Sequence, residues 1–223
     1  MSIKSLPDYP LLKKLAEALW RNETSYQGAA IMVGSGFSRS AASSGDINSK
    51  LPLWNDLLKV LSKDLESDPW GDPLRISEEY SSYFGKQALK DVIEQTVNDP
   101  AWIPGDLYGS LLKLPWTEVL TTNWDTLLER AASDIYKPIY SIVNKPEDLS
   151  SSRSPRIVKL HGTVQISHNL IFTQEDYRQY PKTHAAFVNL ARQVFIENEF
   201  CLLGFSGDDP NFLQWVGWVR DHL

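Results

Sequence analysis

Ala29-Ala30-Ile31-Met32-Val33-Gly34-Ser35-Gly36-Phe37-Ser38 is the stretch on which the fold turns. Its opening apolar run lies between Gly28 and Gly34 and suits a strand buried on both faces of a parallel sheet, which has no solvent side to alternate with. Gly34-Ser35-Gly36 then breaks the strand. Lacking a Cβ, the two glycines allow a tight turn in which a pyrophosphate could approach backbone N–H groups closely. A full dinucleotide fingerprint would need a third Gly or Ala where the chain has Arg39, and an acidic residue on a second strand where it has a serine-rich loop. An ordinary dehydrogenase is therefore disfavoured. So is a P-loop ATPase, because no Gly-x-x-x-x-Gly-Lys-Ser/Thr occurs.

Working outward, Pro7 to Trp20 spaces Leu11, Leu12, Leu15 and Leu19 as an amphipathic helix, and a polar turn follows. Ala41 to Lys50 is rich in Ser, Gly and Asn and reads as a mobile loop. Leu51 to Pro115 has a helical pattern interrupted at Asp68-Pro69, Asp72-Pro73, Asp99-Pro100 and Pro104-Gly105, and reads as a helical insertion or cap. Thr117 to Thr121 predicts a strand, followed by Thr122-Asn123-Trp124 and a helix from Asp125 through Ala132. Arg156 to Leu160 predicts another, ending at His161-Gly162, and Asn169 to Phe172 a further strand or extended loop. Thr173 and Asp176 have capping-box spacing ahead of a helix. Glu199 to Leu203 predicts the last strand, which enters Gly204-Phe205-Ser206-Gly207-Asp208-Asp209-Pro210 and a terminal helix.

This alternation predicts an α/β fold: a doubly wound, Rossmann-like parallel sheet with a helical insertion between the first strand and the second α/β segment. Residues 1–223 read as a single domain, the insertion covering about 51–115. Ligands of such sheets bind beyond the carboxyl ends of the strands. Four polar segments fall there: the Gly34 loop, Thr122-Asn123, His161-Gly162 and Gly204-Phe205-Ser206. Trp218 to Leu223 still reads as helix without a C-cap, so the chain is expected to be the front part of a longer protein.

Composition narrows the function. The net charge of −6 removes the broad attraction by which nucleic-acid binders neutralise phosphates, so direct nucleic-acid binding is not expected. Cys201, the one cysteine, lies in the apolar run Phe200-Cys201-Leu202-Leu203 and reads as a buried, inert thiol. No apolar stretch reaches the roughly 18 residues that span a bilayer, and Met1-Ser2-Ile3-Lys4 lacks a signal-peptide core, so a cytoplasmic setting is expected. His168, His184 and His222 have no ligand-spaced partner, and no metal is expected.

Each motif taken singly has a plain structural reading: a turn at Gly34, a helix cap at Asn123 or Asp125, a core histidine at His161. Their conjunction and order resemble a known family. Ala30-Ile31-Met32-Val33-Gly34-Ser35-Gly36-Phe37-Ser38 resembles the sirtuin Gly-Ala-Gly-x-Ser loop, Thr121-Thr122-Asn123-Trp124-Asp125 the Thr-Gln-Asn-x-Asp segment, and Lys159-Leu160-His161-Gly162 the Leu-His-Gly segment. Leu202-Leu203-Gly204-Phe205-Ser206 with Asp208-Asp209-Pro210, Phe172 to Tyr177, and Leu51-Pro52-Leu53-Trp54 are similar to sirtuin-like domains of bacterial antiphage defence. With a single cysteine the chain cannot build the four-cysteine zinc module of sirtuin deacetylases, which puts a deacylase function in doubt.

The resemblance implies an enzyme that takes NAD as substrate and cuts its nicotinamide–ribose bond. Asn123 would hold the ribose hydroxyls or the attacking water, Asp125 would orient the nicotinamide amide or balance charge, and His161 would accept a proton. Gly34, Gly36 and Ser38 would receive the pyrophosphate, and Gly204 and Ser206 would lie near the adenosine ribose. Ser35, Phe37 and Thr122 belong to the same binding set. The product is left open between linear and cyclic ADP-ribose. The resemblance further implies abortive infection as the setting, a homo-oligomer, and ATPase, helicase or other defence-system partners. A module that binds NAD or ADP-ribose without turnover is the rival reading.

Overall fold

The computed structural model describes residues 2–20, 28–45, 49–164, 166 and 170–223; the polar turn after Trp20, His168 and Asn169 lie outside them. The expected opening helix is α1 (Tyr9–Leu19). β1 (Gly28–Val33) runs into the four-residue α2 (Ser35–Ser38). The segment read as a loop from Ala41 holds the short strand β2 (Ala42–Ser43). Next come α3 (Trp54–Asp64), α4 (Pro73–Phe84) and α5 (Lys86–Val97). Asp72 caps α4 by accepting from the Leu74 N–H at 3.1 Å, with Pro73 starting the helix, so one of the Asp-Pro interruptions is a helix start. β3 (Trp102–Ile103) pairs antiparallel with β2, and α6 (Asp106–Leu112) ends this helical stretch.

The second half follows the expected alternation with two differences. β4 (Glu118–Thr121) leads to α7 (Leu127–Ser133), which starts after Asp125 because the Asp125 carboxylate accepts from the Leu127 N–H at 3.2 Å from outside the helix. β5 (Ser141–Val143), an edge strand of three residues, was not foreseen. β6 (Arg156–Lys159) precedes the His161 turn, and residues 170–172 form neither strand nor helix. The Thr173 capping box is present: Thr173 Oγ1 accepts from the Asp176 N–H at 3.2 Å and Asp176 Oδ2 accepts from the Thr173 N–H at 2.9 Å. It opens α8 (Gln174–Thr183); α9 (Ala185–Glu197), β7 (Asn198–Leu203) and α10 (Pro210–His222) complete the chain.

The sheet is a five-stranded, wholly parallel one in the order β5-β6-β4-β1-β7, a Rossmann-like α/β fold. β1 alternates as a doubly buried strand must. Ala29, Ile31 and Val33 face one core with Tyr108, Leu112, Leu127 and Leu128, while Ala30 and Met32 face the other with Leu120, Val158, Phe187 and Trp215. α6 and α7 thus cover one side, and α8, α9 and α10 the other. A third cluster joins Leu57, Leu61, Ile76, Leu89 and Ile93 of α3, α4 and α5 to Leu170 and Phe172, seating these helices beside the strand ends. No helix of the described residues is long and apolar enough to cross a membrane.

Candidate functional site

Register places the four polar segments together. Val33 pairs with Thr121 on one side and Leu203 on the other, and Thr121 pairs with Lys159. The residues that follow, Gly34, Thr122, Leu160-His161 and Gly204, therefore emerge from one edge of the sheet. There the two glycine loops interlock. Gly34 N–H donates to Leu203 O at 3.0 Å and Gly36 N–H to Gly204 O at 2.9 Å. A Cβ on Gly34 would sit 2.5 Å from Gly204 O, one on Gly36 2.7 Å from the same atom, and one on Gly204, whose φ is +60°, would collide with Phe37 N. Besides the room that the sequence suggested they leave for a phosphate, these glycines clear the way for each other.

Behind this interlock lies a chain of buried polar groups. Asn123 Nδ2 donates to Ser38 Oγ at 2.9 Å, and Ser38 Oγ donates to Asp125 Oδ2 at 2.8 Å. Asn123 N–H donates to Thr121 Oγ1 at 3.0 Å, and Thr121 Oγ1 donates to Val33 O at 2.7 Å, so the amide is tied to the ends of two strands. Lys159, fully buried at the end of β6, donates to Asp125 O and lies 3.1 Å from the Glu129 carboxylate, pinning the 123–125 turn from behind. Burial raises the Glu129 carboxyl, and the Lys159 ammonium pulls the other way. Asp99 clamps the same turn by accepting from Thr126 N–H at 2.7 Å and Thr126 Oγ1 at 2.6 Å, with Arg130 at 3.4 Å.

His161 occupies a separate network on the next strand. Asn211 Nδ2, near the start of α10, lies 3.3 Å from Nε2, and donation from this amide places the neutral ring's proton on Nδ1. Asp209 Oδ2 stands 3.8 Å from Nε2 and accepts from Tyr177 Oη at 2.9 Å, while Oδ1 accepts from Phe212 N–H at 3.0 Å. Tyr177 and Tyr180 pack edge-on against the imidazole at 5.3 and 5.7 Å. Burial pulls the His161 pKa below its ordinary value; the Asp209 charge opposes that and His184 adds to it. Ser38, Asn123, Asp125 and His161 are 1%, 8%, 5% and 2% exposed, so the group is closed to solvent.

The remaining expected residues scatter. Thr122 is half-buried beside Asn123, and Ser35 is exposed at the start of α2. Ser206 is exposed and accepts from Asp208 N–H at 3.4 Å. Trp124 packs with Trp54 and Phe172 at 5.4 and 5.0 Å, a core role rather than an open platform. Cys201 is half-buried, and burial raises its thiol, consistent with an inert group. Among the described residues no cluster of three or more His, Cys, Asp or Glu side chains could hold a metal.

Sequence reasoning missed Lys159, Asp99, Asp209 and Asn211 as site residues. Lys159 did carry a signal, because a cation ending a doubly buried strand requires a partner. As a whole, the edge offers an amide, a carboxylate and a hydroxyl in one bonded set, and a histidine able to exchange a proton on the neighbouring strand.

Residues 117–223, which run from β4 through α10, match the model of the SIR2-like domain. Over these residues, just under half of the chain, the sequence is similar to that family. The matched segment holds Asn123, Asp125, His161 and Gly204, and similarity to relatives, which covers 94% of the chain in one case, takes in the Gly34 loop as well. The chain is similar to a protein named NAD(+) hydrolase ThsA from Acinetobacter baumannii, with 29% identity over 199 residues, 87% of this chain and 39% of that protein. A protein of the same name from Cytobacillus dafuensis is 26% identical over 216 residues, 94% of this chain and 40% of that protein. Defense-associated sirtuin 2 of Bacillus subtilis is 23% identical over 184 residues, 77% of this chain and 18% of that protein. The chain thus spans about two fifths of the hydrolases it matches, and less of the third relative.

Proposed function

We propose that this chain, as a single domain with residues 51–115 as its insertion, cleaves NAD to nicotinamide and ADP-ribose. The observation that supports this best is the Asn123–Ser38–Asp125 hydrogen-bond chain at the end of β4, with His161 at the end of the adjoining β6. Departure of nicotinamide leaves positive charge on the ribose, as in glycoside cleavage, and the Asp125 carboxylate supplies opposite charge. Asn123 holds the ribose hydroxyls or the attacking water. His161 accepts the proton, for which Nε2 exchanges Asn211 for the substrate, and Asp209 then faces the imidazolium. Gly34, Ser35, Gly36, Phe37, Ser38 and Thr122 receive the pyrophosphate side, and Gly204 and Ser206 the adenosine ribose. No metal takes part.

In this reading the chain is part of a cytoplasmic antiphage effector, acts by abortive infection, and works as a homo-oligomer with an ATPase, helicase or other defence partner. The names of its relatives fit a reading of toxic NAD loss held in check. A binding module without turnover is favoured by one observation, the closure of the site groups to solvent.

The experiment is to incubate the longest natural form with NAD, with and without an acylated peptide, and to follow nicotinamide. Release that needs no peptide is expected, and Asn123→Ala and His161→Ala should each lower it at least about a hundredfold while preserving the fold. Binding of NAD without release would favour the module, and release only with peptide would favour a deacylase.

A further inference from the structure

Tyr108 comes from α6 and belongs to none of the motifs quoted above, yet it stands against the site. Its ring packs on Phe37 at 4.6 Å, next to Ser38, and it is 1% exposed. Its hydroxyl meets no partner at full hydrogen-bond geometry; Ser38, whose own bonds run to Asn123 and Asp125, is its polar neighbour. Leaving a buried hydroxyl unmet is costly, and folded proteins leave few such groups without cause. Ser38 accepts from Asn123 and donates to Asp125, and the Asp125 carboxylate also receives the Leu127 N–H and keeps acceptor capacity to spare.

On the reading that the site binds NAD, we propose that Tyr108 is a substrate-contacting residue, its hydroxyl donating to a neutral group of the bound dinucleotide that also donates to Asp125. The charge at Asp125 decides the chemistry. A phosphate set directly on the carboxylate would be repelled, so the group that docks between Tyr108 and Asp125 is neutral and carries both an acceptor and a donor. NAD has two such groups near its scissile bond, the nicotinamide ribose hydroxyls and the carboxamide. Tyr108 serves as a donor throughout the physiological range, because burial and then the Asp125 charge push its phenol well above the usual value, with only Ser38 and Arg130 opposing.

Tyr108→Phe removes one oxygen and leaves the packing intact, so it separates contact from structure. Thermal melting, calorimetry with a non-hydrolysable carbocyclic NAD analogue and with ADP-ribose, and the split between KM and kcat for nicotinamide release are the readouts. The variant should melt at or above the wild-type temperature, since an unmet hydroxyl is gone, while the analogue's Kd rises about tenfold, the scale of one lost hydrogen bond. Weakened ADP-ribose binding as well assigns the contact to a ribose hydroxyl; loss confined to the analogue assigns it to the carboxamide. A variant equal to wild type in Kd and KM overturns the contact and leaves Tyr108 as core. A wild-type chain that neither binds the analogue nor releases nicotinamide overturns the parent reading, and the Tyr108 contact with it.

Discussion

Burial holds the His161 imidazole below the ordinary histidine range, and the Asp209 carboxylate opposes that shift. The sign follows from which form is needed. A base must be neutral, so kcat/KM for nicotinamide release should stay level through neutral pH and decline only on the acid side, with a midpoint below 6.5. Asp209→Asn keeps the helix cap, because Asn caps as well as Asp, but removes the charge that favours protonation. The acid midpoint should then move to still lower pH; a midpoint that stays put or moves upward contradicts the pairing. Stability shares this root, since the unfolded histidine protonates first: the contribution of His161 is whole above about pH 6.5 and is lost progressively as pH falls below it. The place of Asn123, Asp125 and His161 beyond the strand ends was readable in the sequence because a polar residue after a buried strand is a local pattern. Lys159, Asp99 and Asn211 were not, because their partners Asp125, Thr126 and His161 lie 34, 27 and 50 residues away.

Among the elements, the turn after β1 and the turn after β7 behave as one piece. Each supplies a glycine where the other's backbone passes, and Gly204 also holds a left-handed φ of +60°. Gly34→Val therefore acts on the fold before it acts on any ligand. Gly204→Ala should cost at least about 2 kcal/mol, combining the left-handed penalty for a residue with a Cβ and the collision with Phe37 N. Urea melts of both variants test this, and wild-type stability in Gly204→Ala would mean that the loops part easily. The sequence displayed both glycine turns and the strands before them, since apolar runs ending in glycine are strong signals. It hid their contact, which depends on β1 and β7 being neighbours although 198 follows 33 by a long excursion. β5 was hidden for a different reason: three residues at a sheet edge are too few for periodicity to register.

For the whole molecule, α10 divides its apolar residues between two destinations. Phe212 and Trp215 are buried against the sheet side of the domain, while Leu213 and Val216 are 56% and 42% exposed. The outward half is the surface that the proposed assembly would use. Leu213→Asp with Val216→Asp should leave the melting temperature near that of wild type and reduce the assembly seen by light scattering, along with turnover per chain. Unchanged mass and full, concentration-independent activity in the wild type would remove the proposal. The closure of Ser38, Asn123, Asp125 and His161 to solvent also has a temporal side. A dinucleotide cannot meet side chains that water barely touches until the protein shifts, so encounter waits on an internal motion, on the order of microseconds to milliseconds or slower, and not on diffusion. On the proposed function that motion would be the throttle: even saturating NAD would enter no faster than the site unlocks, and a partner that favoured the unlocked form would hasten consumption without lending an atom to the chemistry.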